Sequence, residues 1–328
     1  MDRPPQATGY TPPALTFTDE PLAEVVASLR VGLEPLSPGE PLTFFALDPD
    51  AATGLYEGEF IERGGRRFRY RSLRGWCELA DRLGCRLGTL KAAGADEALL
   101  ELTFSKPPVG SWNQEKVSGS EAYGPDSPFS RVQKLEEPTF LLDVQEALTR
   151  VALGPGSHIL SLGVGRGDEL GPFAALPHFE TFRFTGVDHS AGALGVARQR
   201  FPGPRYRFIQ ADVNDLSGLE NRFDLAVAVA TLQSPGVDDR ALLRDLVQHR
   251  LNPAGSVILA LPNSHYEGGA LRYGAKVKNL REPDLSLVVK DAAFYRKYLQ
   301  QHRFRVFVTG RYYLLLTAVR GDGRASSK

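Results

Sequence analysis

The chain has 328 residues, 42% hydrophobic and 24% charged, the composition of a globular protein long enough for two domains. Lys and Arg number 39, as do Asp and Glu, so no net charge draws the protein to nucleic acid or an anionic membrane, and any such affinity has to be local. Two cysteines, Cys77 and Cys85, and six scattered histidines have no zinc-ligand spacing, so no metal site is expected, and no apolar run is long enough to span a bilayer.

Residues 1–18 read as a disordered leader, Pro-rich and without an apolar signal core, which points to a cytoplasmic protein. Residues 19–106 read as a small α+β domain that serves as an accessory or substrate domain. Its elements are a helix (PLAEVVASLR), a strand (PLTFFAL), a hairpin with strands near GLYEGEFIE and RRFRYRS joined through Arg63-Gly64-Gly65, a helix carrying Trp76, Leu79, Ala80 and Leu83, and strands near CRLGTLK and EALLELTF. Alternation along the hairpin puts Arg67, Arg69 and Arg71 on a solvated face, with Glu57, Glu59 and Glu62 across from them and Phe68 and Tyr70 against a core. That arrangement separates cations from aromatics, whereas RNA-binding surfaces interleave them.

Residues 107–137 read as a linker or lid: polar and rich in Pro, Gly and Ser, yet carrying Trp112, Tyr123 and Phe129. Phe140, Val144, Leu148 and Val151 then share one face of a helix, which opens a second domain over 138–320, and residues 321–328 read as a disordered tail. In this domain short apolar strands (HILSLG, FRFTGVD, YRFIQAD, FDLAVAVA, SVILALP) alternate with helices near DELGPFAAL, AGALGVARQRF and DRALLRDLVQH. A parallel sheet covered on both faces requires that texture. A helix (AAFYRKYLQQH) and two strands (RFRVFVT, RYYLLLTAV) joined through Gly310-Arg311 add an antiparallel pair. The fold class is therefore α/β, a doubly wound, mostly parallel seven-stranded sheet with an antiparallel last strand, plus the small N-terminal α+β domain.

The chemistry concentrates at Gly163-Val164-Gly165-Arg166-Gly167-Asp168-Glu169, between a strand and a helix. Nicotinamide enzymes use a similar loop, but they need an uncharged helix start to hold a pyrophosphate. Asp168 and Glu169 would repel that group, and they suit a cofactor carrying a sulfonium and an ammonium.

The ordered runs ILSLGVGRG, GVDHSAGALGVARQRF, IQADVNDL, FDLAVAVATLQ and LNPAGSVILALPN resemble the motifs of class I S-adenosylmethionine-dependent methyltransferases over residues 138–320. The resemblance implies S-adenosylmethionine as cofactor. It also implies that Gly163, Gly165 and Gly167 let the backbone approach the methionine part, that Asp188 binds the ribose hydroxyls, that Asp212 binds the adenine amine, and that the Val213 backbone reads the ring edge. Ser161, His189 and Ala230 fall within the same cofactor site. The chain departs from the family at Ser161, where an acid two residues before the first glycine is common, and at Gln233, where many small-molecule enzymes have His. Taken singly, Asp188 also fits a helix cap and Asp212 a turn.

For catalysis the candidates are His265, just after the fifth strand, as general base, and Tyr123. Residues 112–131 and 263–279 are expected to wall the acceptor pocket, with Tyr123 and Arg131 touching ligand. His158 and His178 read as surface groups. The expected acceptor is a small molecule ahead of RNA or protein, with a catalytically inactive binding protein as the other reading. Nothing in the sequence sets the oligomeric state.

Overall fold

A computed structural model describes residues 15–93, 98–107, 132–219, 222–267, 270–274 and 285–320. The chain divides into two compact units, Met1–Gly110 and Ser111–Lys328. Most of the expected leader and the whole expected tail lie outside the described residues. No helix of the described residues is long and apolar enough to cross a membrane.

The first unit runs β1 (Leu15–Thr16), α1 (Leu22–Leu33), β2 (Pro41–Leu47), β3 (Phe60–Arg63), β4 (Arg66–Arg69), α2 (Leu73–Arg82), β5 (Arg86–Leu87), β6 (Lys91–Ala92) and β7 (Leu99–Ser105). A sheet in the order β1-β2-β7-β5, with β6 also on β7, packs against both helices. Val25, Leu29 and Leu33, four residues apart on α1, meet Phe44, Trp76, Leu102 and Phe104 in one core. This sheet takes in residues that the sequence assigns to the leader: Leu15 and Thr16 pair with β2, and Phe17 is buried.

The β3–β4 hairpin turns on Gly64 and Gly65, both at positive φ, as a two-residue turn matching the strand twist requires. Phe68 and Tyr70 are buried as expected. Arg67 and Arg69 lie over the Phe60 ring, at 3.6 and 4.5 Å from its centre. Arg71 corrects the expected three-arginine face. The strand ends at Arg69, so alternation stops there, and Arg71 is buried, donating to the Glu20 carbonyl. Burial lowers its pKa, assisted by the neighbouring Arg69.

The second unit opens with a 3-10 turn at Lys134–Glu136 and α3 (Pro138–Thr149). It continues with β8 (His158–Leu162), 3-10 stretches at Asp168–Ala175 and Phe179–Thr181, β9 (Arg183–Asp188), α4 (Ala191–Arg200), β10 (Tyr206–Gln210), β11 (Phe223–Val229), α5 (Asp239–Asp245) and a π turn at Leu246–Arg250. Then come β12 (Leu251–Pro262), β13 (Ser264–Glu267), β14 (Ala270–Tyr273), α6 (Ser286–Gln301), β15 (Arg305–Thr309) and β16 (Tyr313–Val319). Seven strands form one sheet in the order β10-β9-β8-β11-β12-β16-β15. All pairs are parallel except those made by β16, the antiparallel last strand of the chain.

Both faces of this sheet are apolar, which is why its strands lack polar alternation. On β11, Leu225, Val227 and Val229 face the cluster with Phe140, Val144, Leu170 and Leu194, while Phe223, Ala226 and Ala228 face the cluster with Leu242, Leu243, Tyr295 and Leu299. His158, expected at the surface, is instead buried: its Nε2 is 2.9 Å from Thr185 Oγ1 and its ring packs on Phe223. Burial and then Arg183 lower its pKa, so it is a neutral structural residue.

The chain moves outward from β8 to β9 and β10, then returns to β11 beside β8. The carboxyl ends of β8 and β11 therefore flank the switch point where such sheets bind ligands. Close packing there depends on Gly186 of β9, because a Cβ at that position would lie 2.8 Å from Val164 Cγ1 and 2.9 Å from Phe208 Cδ1. Gly186→Ala is expected to destabilise the protein by about 1–3 kcal/mol, the cost of overpacking a filled site; urea unfolding measures it.

Candidate functional site

The loop after β8 adopts a shape that its three glycines permit. Gly163, Gly165 and Gly167 have φ of 66°, 51° and 81°, in the left-handed region costly for other residues. At Gly163 space adds to conformation: a Cβ would lie 2.4 Å from Thr231 Oγ1. Thr231, just past β11, donates from that oxygen to the Leu162 carbonyl at 2.7 Å and so ties the two flanking strand ends together. Ala230 beside it, at φ 58°, is an alanine in a conformation that favours glycine, a strained backbone at the ligand edge.

The loop is fastened to β9. The Gly163 and Val164 amides donate to the Val187 carbonyl at 2.8 and 3.0 Å, and the Gly165 amide donates to Asp188 Oδ2 at 2.8 Å. The other carboxylate oxygen of Asp188 accepts from the Ser190 amide at 2.8 Å. Ser190 in turn caps α4 through Ala193. Asp188 is buried; His189 beside it is exposed, with Nδ1 3.5 Å from Asp188 Oδ1. A carboxylate has about four lone-pair positions, so two remain beyond these amides. Asp212, two residues past β10, is exposed and accepts from the Asn214 amide at 2.8 Å, while Val213 is buried in the core.

Asp168 and Glu169 follow the loop but do different work. Asp168 is paired, accepting from Arg200 Nη1 at 2.5 Å. Glu169 is buried, and Ser161 Oγ, itself buried on β8, donates to its Oε1 at 2.6 Å. Burial pushes the Glu169 carboxyl up to about 7 against the lowering effects of Ser161 and Lys134. Burial likewise pushes Glu137 up to about 7, opposed by Lys134. Burial of Lys134 opposes its charge, yet Tyr313, Glu169, Asp168 and Glu137 outweigh it and hold its pKa above the ordinary value. Sequence reasoning saw Glu169 only as a negative charge on the turn and missed Lys134, Thr231 and the Ser161–Glu169 contact.

On the acceptor side, residues 263–279 are expected to wall the acceptor pocket. Their described part is an antiparallel hairpin of β13 and β14, directly after β12. His265 Nδ1 lies 2.7 Å from the Gly274 carbonyl. Only a protonated nitrogen satisfies that oxygen, so the neutral ring keeps its lone pair on Nε2, as a general base requires. Arg272, directly across from His265, is buried. Asn263, at the start of this excursion, is buried and donates from Nδ2 to the Arg311 carbonyl at 2.9 Å. His178 is exposed as expected. Tyr123, Arg131 and the rest of 112–131 lie outside the described residues.

These shifts carry a stability prediction. A carboxyl near 4.5 when unfolded and near 7 when folded holds its proton longer in the folded state, so stability falls as pH rises from about 4.5 to about 7 and is flat above, by at most about 1.4 kcal/mol per pH unit per group. Glu169→Gln is expected to flatten part of that fall, the part due to Glu137 remaining. Melting temperatures of both chains from pH 4.5 to 8 check this, parallel curves contradicting it.

Residues 159–255 match a family model described as a methyltransferase domain. A trans-aconitate 2-methyltransferase of Paracidovorax citrulli is 33% identical over 123 residues, which is 37% of this chain and 45% of that protein. One of Delftia acidovorans is 32% identical over 124 residues, 37% of this chain and 44% of that protein. The match thus spans less than half the length of these relatives. Among solved structures, the putative methyltransferase of Haloferax volcanii in complex with the Trm112 methyltransferase activator aligns at 17% identity and a TM-score of 0.43, over 62% of this chain and 98% of that one. A methyltransferase of Aquifex aeolicus aligns at 15% identity and a TM-score of 0.43, over 58% and 98%. The sequence match identifies residues 159–255, from β8 into β12, as a methyltransferase domain at the centre of the seven-stranded sheet.

Proposed function

We propose that the protein transfers a methyl group from S-adenosylmethionine to a small-molecule acceptor in the cytoplasm. The observation that carries this reading is Asp188, a buried carboxylate at the end of β9 that holds the glycine loop through Gly165 and keeps acceptor capacity beyond its two amide bonds. The cofactor fits the chemistry of the donor set. Asp188 would take the ribose hydroxyls, the exposed Asp212 the adenine amine, the Val213 backbone the ring edge, and the glycine loop the methionine part. The cofactor supplies a methyl group already activated on a sulfonium, so the protein's own task is to position the acceptor in line and exclude water.

His265 takes a proton at Nε2 where the acceptor is a hydroxyl or amine. A carboxylate acceptor is ionised at neutral pH and needs no base. Arg272, the cross-strand neighbour of His265, is of a residue type that suits a carboxylate, and the relatives that match 37% of the chain are trans-aconitate 2-methyltransferases. Both support a small acid as acceptor. Incubation with methyl-labelled S-adenosylmethionine and separate pools of small carboxylic acids, RNA and protein tests the reading. Label in the acid pool alone is expected; label in RNA or protein, or in none of the pools, overturns it.

Asp188→Asn keeps one acceptor oxygen and loses the charge. It is expected to weaken S-adenosylhomocysteine binding roughly ten- to a hundredfold, equivalent to about 1.4–2.8 kcal/mol. Titration calorimetry reads this, and equal affinities for the two proteins would remove Asp188 from the cofactor site.

A further inference from the structure

The second unit buries a carboxylate beside its glycine loop and surrounds it with few positive charges. Glu169 is 5% exposed and Ser161 1% exposed, and their contact joins the turn after the loop to the strand before it. Burying a carboxylate is costly unless a cation and hydrogen bonds compensate it. The nearby cation whose charge acts on it is Lys134. Arg200 is committed to Asp168 and to the Arg166 carbonyl. Lys134 belongs to the 3-10 turn that packs on the Asp168–Ala175 stretch so closely that a Cβ at Gly171 would meet Leu135 at 2.5 Å. Its Nζ stands 6.0 Å from the centre of the buried Tyr313 ring. A negative and a positive group thus share one buried corner at the end of β8.

Such a corner matches a zwitterion. The methionine tail of S-adenosylmethionine carries an ammonium and a carboxylate on the same carbon, and its recognition calls for one acid and one base side by side. The strand itself has Ser161 where a side-chain acid would project, and the Glu169 carboxylate lies against the Ser161 hydroxyl at 2.6 Å. An acid eight residues later in the chain thus lies beside the strand position of Ser161.

We propose that Glu169 receives the α-ammonium of the cofactor's methionine tail and Lys134 its carboxylate, with Ser161 as the positioning residue that orients Glu169. The inference rests on the methyltransferase reading and assigns the tail-binding residues that the loop motif leaves open.

The test uses two ligands on the full chain: S-adenosylhomocysteine, and 5′-methylthioadenosine, which keeps the adenosine and a thioether but lacks the amino-acid tail. For the wild type, calorimetry is expected to show S-adenosylhomocysteine as the tighter ligand. Glu169→Gln and Lys134→Met are each expected to weaken it by about tenfold or more while leaving 5′-methylthioadenosine within about twofold, since charged hydrogen bonds are the stronger class. Adding Ser161→Asp to the Glu169→Gln chain restores a carboxylate from the strand side, and it is expected to recover most of the lost affinity. Parallel weakening of both ligands, with no rescue, identifies a structural role for Glu169 and overturns the proposal, as does an unchanged affinity for S-adenosylhomocysteine. A wild type that binds neither ligand overturns the methyltransferase reading itself, and this inference with it.

Discussion

The site depends on the fastening of the glycine loop to the end of β9. Val187 accepts two amides of the loop through its carbonyl, and Asp188 accepts a third through its side chain. Without those acceptors, a loop with three left-handed glycines would have unsatisfied amides and large conformational freedom to lose. The same carboxylate accepts the Ser190 amide at the start of α4, so one side chain coordinates loop, strand end and helix. The helix-start reading of Asp188 is met by the Ser190 amide, and the ribose role proposed for it would draw on the lone pairs that the two amides leave.

Charge in this part of the unit is distributed by pairing. Asp168 and Glu169 are adjacent in sequence, yet Asp168 is neutralised by Arg200 and Glu169 is held against a hydroxyl in the interior. Burial raises the proton affinity of Glu169, since a hydroxyl donor and the neighbouring Lys134 offset only part of the desolvation.

The parallel core of the second unit was legible because its strands are buried on both faces and so appear as uninterrupted apolar runs at β8, β9, β11 and β12. The glycine loop and Asp188 were legible for a related reason, since their places at strand ends follow from the winding of the sheet. Contacts that depend on tertiary geometry were not. Ser161 and Glu169 meet through a 3-10 stretch with no periodicity to read. His158 looked like a surface residue because a strand's first position carries no burial signal, yet Thr185 and Phe223 close over it. Arg71 continued an alternation on paper that the backbone ends at Arg69. The β13–β14 hairpin is four residues per strand, too short for a pattern to emerge.

The two ends of the proposed site differ in how they are built. On the proposed cofactor side, backbone amides and fixed carboxylates dominate, held by strand ends and by the tie from Thr231 to Leu162. On the acceptor side, the described residues place a short hairpin after β12, whose His265 and Arg272 are set by their pairing across two strands and by one bond to the Gly274 carbonyl. Between the two ends stands Ala230, left-handed without being glycine. Its amide donates to the Ala260 carbonyl at 2.8 Å, which holds the turn in place against its own preference. The strain is local to the point where the chain leaves β11 beside the glycine loop.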